Sequence, residues 1–406
     1  MIHVTSEIKP LKKVLLHRPG EELLNIIPER LTDLLFDDIP YLKIAQKEHD
    51  AFAEVLRQNG VETVYIEELM AETLDQRPEI RMLFLKQFVE EADINSNYYT
   101  NLIIDYLNEN YPKNIDLVNK LIAGMRLNEL PKEKANTLID HVQSYESTML
   151  LNPLPNLYFQ RDPFSSIGSG ISLHKMHTKT RSRETIFAEY IFNYHKDYKD
   201  TKKYYDRYEF DSIEGGDVMN LNEKTLVIGI SERTSPDAIE TLAKKCFADP
   251  ECMIEEVYAV TIPKSRAFMH LDTVFTQIDY NKFTVHPLIV GPMKVFRLTD
   301  SGNRKINITE INKPLDEILK EILKLDHVDL LPCGGGDIIA ASREQWNDGS
   351  NTLCISPGKI ITYERNEVTN EYLRSKGLTV LEIPSCELSR GRGGPRCMSM
   401  PLVRED

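Results

Sequence analysis

Through the first seventy or so residues, short apolar runs alternate with apolar positions at helical spacing. Val14-Leu15-Leu16-His17 reads as a buried strand, stopped by Arg18-Pro19-Gly20. Residues 43–58 follow with helical periodicity, closed by Asn59-Gly60, and 61–66 then alternate as a strand. Over 72–150 the strand signal disappears. One apolar stripe runs through Phe84, Phe88, Val89 and Ala92, and another through Leu117, Val118, Leu121, Ile122 and Met125, with Asn114 as the expected N-cap of the second. Strand signals return after Leu154. This pattern predicts a helical bundle (72–150) inserted into an α/β domain built from 1–71 and 151–406.

Beyond the insertion the pattern repeats. Glu214-Gly215-Gly216-Asp217-Val218 leads into the apolar run 225–230, and Ser235-Pro236 is placed to cap a helix reaching 248. Later, Gly334-Gly335-Gly336-Asp337-Ile338 leads toward 352–356, a helix, and a strand at 379–383. Two copies of Gly-Gly-Asp, strand, helix, strand suggest a repeated β-rich unit with one helix, and their separation leaves room for four or five such units. Chance likeness between glycine-rich turns is the alternative.

Composition narrows the function classes. A formal net charge of −14 over 406 residues argues against nucleic acid or an anionic membrane as main partner, and suits a cationic substrate. Six cysteines without a CxxC pair make no disulfide framework and fit a reducing compartment. The first residues lack the apolar stretch of a signal peptide, and no apolar run is long enough to span a membrane, so a cytoplasmic protein is expected.

Cys397 then draws attention. It closes Gly391-Arg392-Gly393-Gly394-Pro395-Arg396-Cys397, a run that can continue neither a helix nor a central strand, and flanking arginines are expected to favour its thiolate. Three acidic clusters accompany it: Phe159-Gln160-Arg161-Asp162, Glu214-Gly215-Gly216-Asp217 and His270-Leu271-Asp272-Thr273. A cysteine with a histidine is an activated nucleophile with a proton carrier. Several carboxylates beside a thiolate would repel the oxyanion formed on a neutral carbonyl, but they suit a cationic electrophile. A planar guanidinium, all donors, is such a cation. Blander readings stay open at this stage: Asp162 before Pro163 suits a turn, His270 and Asp272 could satisfy each other, and Glu214 and Asp217 could be bulge and turn residues. No Cys/His pair has zinc-ligand spacing, and neither glycine cluster has phosphate-loop geometry.

Taken in order, these motifs and the terminal Gly-Gly-Pro-Arg-Cys-Met-Ser-Met-Pro resemble the guanidine-modifying enzymes, and most closely the arginine deiminase family, over nearly the whole chain. The resemblance implies an α/β fold: a five-bladed propeller of ββαβ units with pseudo-fivefold symmetry. It implies hydrolysis of free L-arginine to citrulline and ammonia, the first step of arginine catabolism, with neither cofactor nor metal, in a homo-oligomer (dimer or tetramer). It places the nucleophile at Cys397, the acid/base at His270, the guanidinium-gripping carboxylates at Asp162 and Asp272, and their companion at Glu214. Arg181 and Arg233, isolated basic positions on loops, fall where the family binds the substrate carboxylate. Asn156, Phe159, Asp217 and Arg392 complete the expected substrate site. Some family members carry histidine just before the cysteine, where this chain has Arg396. An amidino-transferring relative and a non-catalytic arginine sensor are the rival readings.

Overall fold

The computed structural model describes residues 1–92, 94, 97–130, 149–263, 268–289, 293–302 and 305–406. The apolar run near the start forms strand β1 (Leu11–Leu16), whose Val14, Leu15 and Leu16 are buried. Helix α1 (Leu42–Gln58) turns Ala45, Phe52, Ala53 and Leu56 inward, and β2 (Glu62–Tyr65) returns parallel to β1. Gly60, at φ 76°, supplies the left-handed turn between them, which a side chain would strain.

Helices α2 (Ile66–Gln76), α3 (Arg81–Glu90), α4 (Asn97–Asn110) and α5 (Asn114–Ala123) follow. The helical stretch therefore opens at Ile66, directly from β2, rather than at 72. Asn114 is not a cap. Lys113 holds that position, while the Asn114 side chain accepts from Arg81 at 2.9 Å and donates to Asp75 at 2.6 Å, tying α5 to α3 and α2. Strand β3 (Met125–Arg126) pairs with β4 (Met149–Leu151), and positions 131–148 of the expected helical segment lie outside the described residues. The helices share one of the apolar cores with neighbouring parts of the α/β domain. Phe84 and Phe88 meet Phe187 at 6.0 and 5.7 Å, and the cluster extends to Met400 and Leu402. Each such buried phenyl contributes about 2–3 kcal/mol.

Strands β5 (Phe164–Ile167) and β6 (Gly170–Leu173), helix α6 (Glu184–Tyr194) and β7 (Lys203–Tyr205) come next. The same order recurs in β8 (Val218–Asn222), β9 (Thr225–Ile230), α7 (Pro236–Ala248) and β10 (Glu256–Thr261). The expected cap of α7 forms, with Ser235 Oγ accepting from the Ala238 N–H at 3.1 Å. β11 (Phe275–Gln277) and β12 (Lys282–Val285) begin the next unit. A hairpin that the sequence pattern did not announce, β13 (Val295–Asp300) and β14 (Ile306–Ile311), then extends the β10 edge before α8 (Leu315–Leu323) and β15 (Asp329–Pro332) complete the unit. After α9 (Ile338–Trp346) come β16 (Leu353–Ser356), β17 (Lys359–Tyr363), α10 (Glu367–Ser375) and β18 (Thr379–Ile383). The last strand, β19 (Met400–Arg404), lies antiparallel to β1.

The result is a mixed α/β fold. Sheets β19-β1-β2, β5-β6-β7, β8-β9-β10, β11-β12-β15 and β16-β17-β18 each join an antiparallel pair to a parallel one, with a helix in the parallel crossover. The repeated unit is thus real, but the two Gly-Gly-Asp copies are not equivalent. The first turns straight into strand β8. In the second, Gly334, Gly335 and Gly336 all take positive φ and Asp337 caps a helix, its carboxylate accepting from the Ala340 N–H at 2.7 Å. A triplet of left-handed glycines reverses the chain, so the aspartate meets a helix start instead of a strand. No helix among the described residues is long and apolar enough to cross a membrane.

Candidate active site

The segments expected to carry chemistry occupy the same place in successive units, the loop entering the first strand. Asp162 precedes β5, Glu214 and Asp217 precede β8, His270 and Asp272 precede β11, and Cys397 precedes β19. A loop of the same placement before β16 holds Asp348 and Asn351. Glycines let these loops approach closely. A Cβ on Gly216 would lie 2.6 Å from the His270 ring, one on Gly393 2.3 Å from Phe159, and one on Gly394 2.5 Å from the Asn351 carbonyl. That packing, beside the left-handed backbone of Arg392 (φ 64°), is why the cysteine loop is so rich in glycine.

Cys397 is 4% exposed. Its N–H donates to Asn351 Oδ1 at 3.0 Å, and Sγ stands 3.7 Å from Asp272 Oδ2. His270 Nε2 is 2.8 Å from Glu214 Oε2, and its Nδ1 is 4.0 Å from Asp162 Oδ1. Asp162 Oδ2 accepts from Arg181 Nη1 at 2.6 Å, and Asp272 Oδ2 from Arg396 Nη1 at 2.7 Å. The other oxygen of each, Asp162 Oδ1 and Asp272 Oδ1, is buried without a hydrogen-bond partner. A buried, unsatisfied carboxylate oxygen is costly, so a pair of them beside a thiol marks a place for a donor-rich cation.

Electrostatics sort the groups into acid and base. Burial alone would push His270 down, but Asp162, Glu214 and Asp217 outweigh it and raise its pKa to about 9, so it stands as imidazolium. Glu214 moves well below the carboxylate range: burial opposes this, but His270, Arg233 and Arg181 prevail. Cys397 behaves otherwise than its flanking arginines suggest. Burial, then Asp272, Asp162 and Asp348, push the thiol well up, against the pull of Arg396. Arg392 is engaged within the cysteine loop's surroundings. Its guanidinium lies 3.5 Å over the Trp346 ring and donates to Asp37 at 3.2 Å. Burial and the three aspartates therefore hold the cysteine as a thiol, and a cation placed against those aspartates would release its proton. Asp162, Glu214 and His270 also offer ligand atoms within 4.8 Å of one another, the one such trio among the described residues.

Comparison with known proteins agrees with this arrangement. A sequence model described as "Arginine deiminase" matches residues 32–404. The chain belongs to the arginine deiminase family. It is 55% identical to the arginine deiminase of Treponema denticola, with 100% of this chain and 99% of that protein covered. Identity is 51% to the enzyme of Clostridium perfringens, covering 100% and 98%. Solved structures show the same fold at low identity. An amidinotransferase of the saxitoxin pathway from Microseira wollei superposes with TM-score 0.56 at 15% identity, covering 100% of this chain and 98% of that one. A dimethylarginine dimethylaminohydrolase superposes at 0.50 and 13%, covering 96% and 99%.

Against the pattern expected for an arginine deiminase, the remaining positions fall as follows. Arg181 is not isolated: besides Asp162 it donates to Glu184 through Nε and Nη2, at 3.0 and 2.8 Å, and to the Asn156 carbonyl at 3.4 Å. Glu184 sits one helical turn on, at the start of α6. Arg233 is looser, with Nη1 3.8 Å from Glu214 and Nη2 3.9 Å from Met269 Sδ. Asp217 spends both oxygens inside the protein, accepting from Ser231 Oγ at 2.6 Å and the Leu271 N–H at 2.8 Å, which fixes the backbone beside His270. Burial raises its pKa to about 6. Asn156 donates to the Leu34 carbonyl at 2.7 Å, and Phe159 packs under Gly391 and Gly393.

Two members of the site escaped the sequence reading. Asn351 holds both the Cys397 N–H and, through Nδ2 at 3.2 Å, the Asp272 carbonyl. Asp348 is 5% exposed, takes φ 61°, and has one oxygen without a partner. Burial pushes its pKa up to about 7, against the pull of Arg392. The run Asn347-Asp348-Gly349-Ser350-Asn351 reads only as a turn, which it also is.

Proposed function

We propose that the protein hydrolyses free L-arginine to L-citrulline and ammonia through a covalent intermediate on Cys397. The observation that carries this reading is the pair of unpartnered carboxylate oxygens, Asp162 Oδ1 and Asp272 Oδ1, on two aspartates that act on the Cys397 thiol, one of them 4.0 Å from the His270 imidazolium. A guanidinium offers only N–H donors in one plane, and satisfies both oxygens at once.

Its charge also bears on the thiol. With the cation bound, the acids that hold the thiol protonated are neutralised, the thiol proton leaves to solvent, and the thiolate attacks Cζ. His270 presents Nδ1 on the substrate side, since Nε2 is held by Glu214. From there it protonates the departing amino group, and ammonia leaves an S-alkylthiouronium. Neutral His270 then takes a proton from water, whose oxygen adds to the same carbon. Collapse expels the Cys397 thiolate, and loss of the remaining hydroxyl proton to solvent yields citrulline.

The α-carboxylate falls to Arg233, whose guanidinium makes only long contacts, with Arg181 as the second cation behind it and Asn156 toward the α-amino end. Phe159 packs against the glycines of the cysteine loop, Arg392 stacks on Trp346, and Asp217 fixes the His270 loop. Five sheets of one pattern, each donating a loop to the site, support the reading of the fold as a five-bladed propeller with pseudo-fivefold symmetry. The helices between β2 and β4 are then its inserted domain.

Citrulline and ammonia are measured from arginine with no added amine, with agmatine and a peptidyl-arginine in parallel. Stoichiometric citrulline and ammonia from free arginine are expected, with agmatine at least about a hundredfold poorer because it leaves Arg233 without an anion. Equal turnover of agmatine would remove the carboxylate clamp, and an absolute requirement for an amine would make the protein an amidinotransferase.

A further inference from the structure

Arg396, the residue before the nucleophile, is 1% exposed and makes three separate contacts. Nη1 donates to Asp272 Oδ2 at 2.7 Å, Nε to Glu7 Oε2 at 3.2 Å, and Nη2 to the Val218 carbonyl at 3.0 Å. Glu7, also buried, is fixed in turn: its Oε1 accepts from the Asn220 N–H at 3.3 Å. The N-terminal segment, the β8 strand and the β11 loop thus converge on one guanidinium.

We propose that Arg396, braced by Glu7, is a positioning residue that clamps Asp272 by Oδ2, so that Oδ1 alone is left to receive the substrate cation. The inference rests on the deiminase reading of the site. A carboxylate free to rotate would offer either oxygen, or turn both toward the sulfur 3.7 Å away. The clamp removes that freedom without exposing the aspartate to water. Its fork matters as much as its charge, because three acceptors in three directions need the planar guanidinium. The same cation also offsets the carboxylates facing Cys397, namely Asp272, Asp162 and Asp348, with His270 and Glu214 beyond them.

Two variants separate the fork from the charge. Arg396→Lys keeps the charge and reaches one acceptor. The double variant Glu7→Gln/Arg396→Gln removes both charges of the outer pair, so that no buried Glu7 carboxylate is stranded. Each is checked for folding by thermal melting, then assayed for arginine turnover and for alkylation of Cys397 by iodoacetamide across pH. In Arg396→Lys, kcat/KM should fall at least about tenfold, mostly through KM, with the alkylation profile near that of the unaltered protein. In the double variant KM should rise as well, and the alkylation midpoint should move up by at least about half a pH unit. A purely structural role would lower the melting temperature and leave KM and the alkylation profile alone. Unchanged KM in folded Arg396→Lys, or an unmoved midpoint in the double variant, overturns the proposal. Absence of citrulline from the unaltered protein would instead sink the deiminase reading, while the alkylation comparison still judges the clamp.

Discussion

At the scale of single residues, reactivity here is set by neighbours more than by residue type. His270 holds its proton up to about 9 because carboxylates outweigh its burial, and Glu214, 2.8 Å from Nε2, is one of them. Glu214→Gln should lower that pKa. Since the proposed first half-reaction needs imidazolium, the alkaline limb of kcat/KM should move down by roughly one pH unit or more. A limb that stays in place would detach Glu214 from proton transfer. Cys397→Ser should bring turnover below about a hundredth of the original while arginine still binds, because a serine hydroxyl is a poor nucleophile without a strong base. Rapid acid quench with mass spectrometry should find a Cys397 adduct in the unaltered protein and none in the variant. Cys397, His270, Glu214, Asp162 and Asp272 stand out in the sequence as candidates because thiol, imidazole and clustered acids announce themselves by type. The contacts of Arg396 do not: Glu7 and Asp272 are its neighbours only after folding, and nothing local to any of the three marks them.

Among the elements, β1, α1 and β2 follow from apolar spacing, and the Ser235 cap from residue type alone. Tertiary contacts decided the rest. Asn114 left the cap position because Arg81 and Asp75 offered better partners, and β13–β14 adds to an edge that no local pattern describes. One inter-element tie carries a stability consequence. At the end of β1, His17 lies 2.8 Å from Glu67 in α2 and 3.2 Å from Glu22. Burial opposes its charge, yet Glu67 and Glu22 raise its pKa from the ordinary 6.5 to about 10. A raised folded pKa stabilises fully below the unfolded value and is lost as pH climbs through the folded one. Stability should thus decline between those two values as the imidazolium is lost. His17→Gln should cost about 3–5 kcal/mol near pH 6 and flatten that decline. Urea unfolding across that range measures both, and parallel slopes for the two proteins would show that the pair does not form in solution.

For the whole molecule, the five sheets place their site loops at equivalent positions, so no single unit contains the chemistry. The first sheet draws strands from both parts of the chain, β1 from near the start and β19 from residues 400–404. Deleting residues 400–406 should therefore do more than trim an edge. It strips β1 of its antiparallel partner and uncovers Met400 and Leu402's place in the shared core, so a lower melting temperature and loss of cooperativity are expected, read by calorimetry and circular dichroism. A truncated protein that melts like the full chain would show that sheet to be dispensable.

The placement of Cys397 just ahead of β19 also orders events in time. A chain grows from its first residue, so Glu7, Asp162, Glu214, His270 and Asp272 are all made before the sulfur exists. A product that ends short of residue 397 carries the acids and the imidazole without the proposed nucleophile. On the proposed mechanism such products would be inert, and turnover would begin only once the strand that follows the thiol has paired with β1.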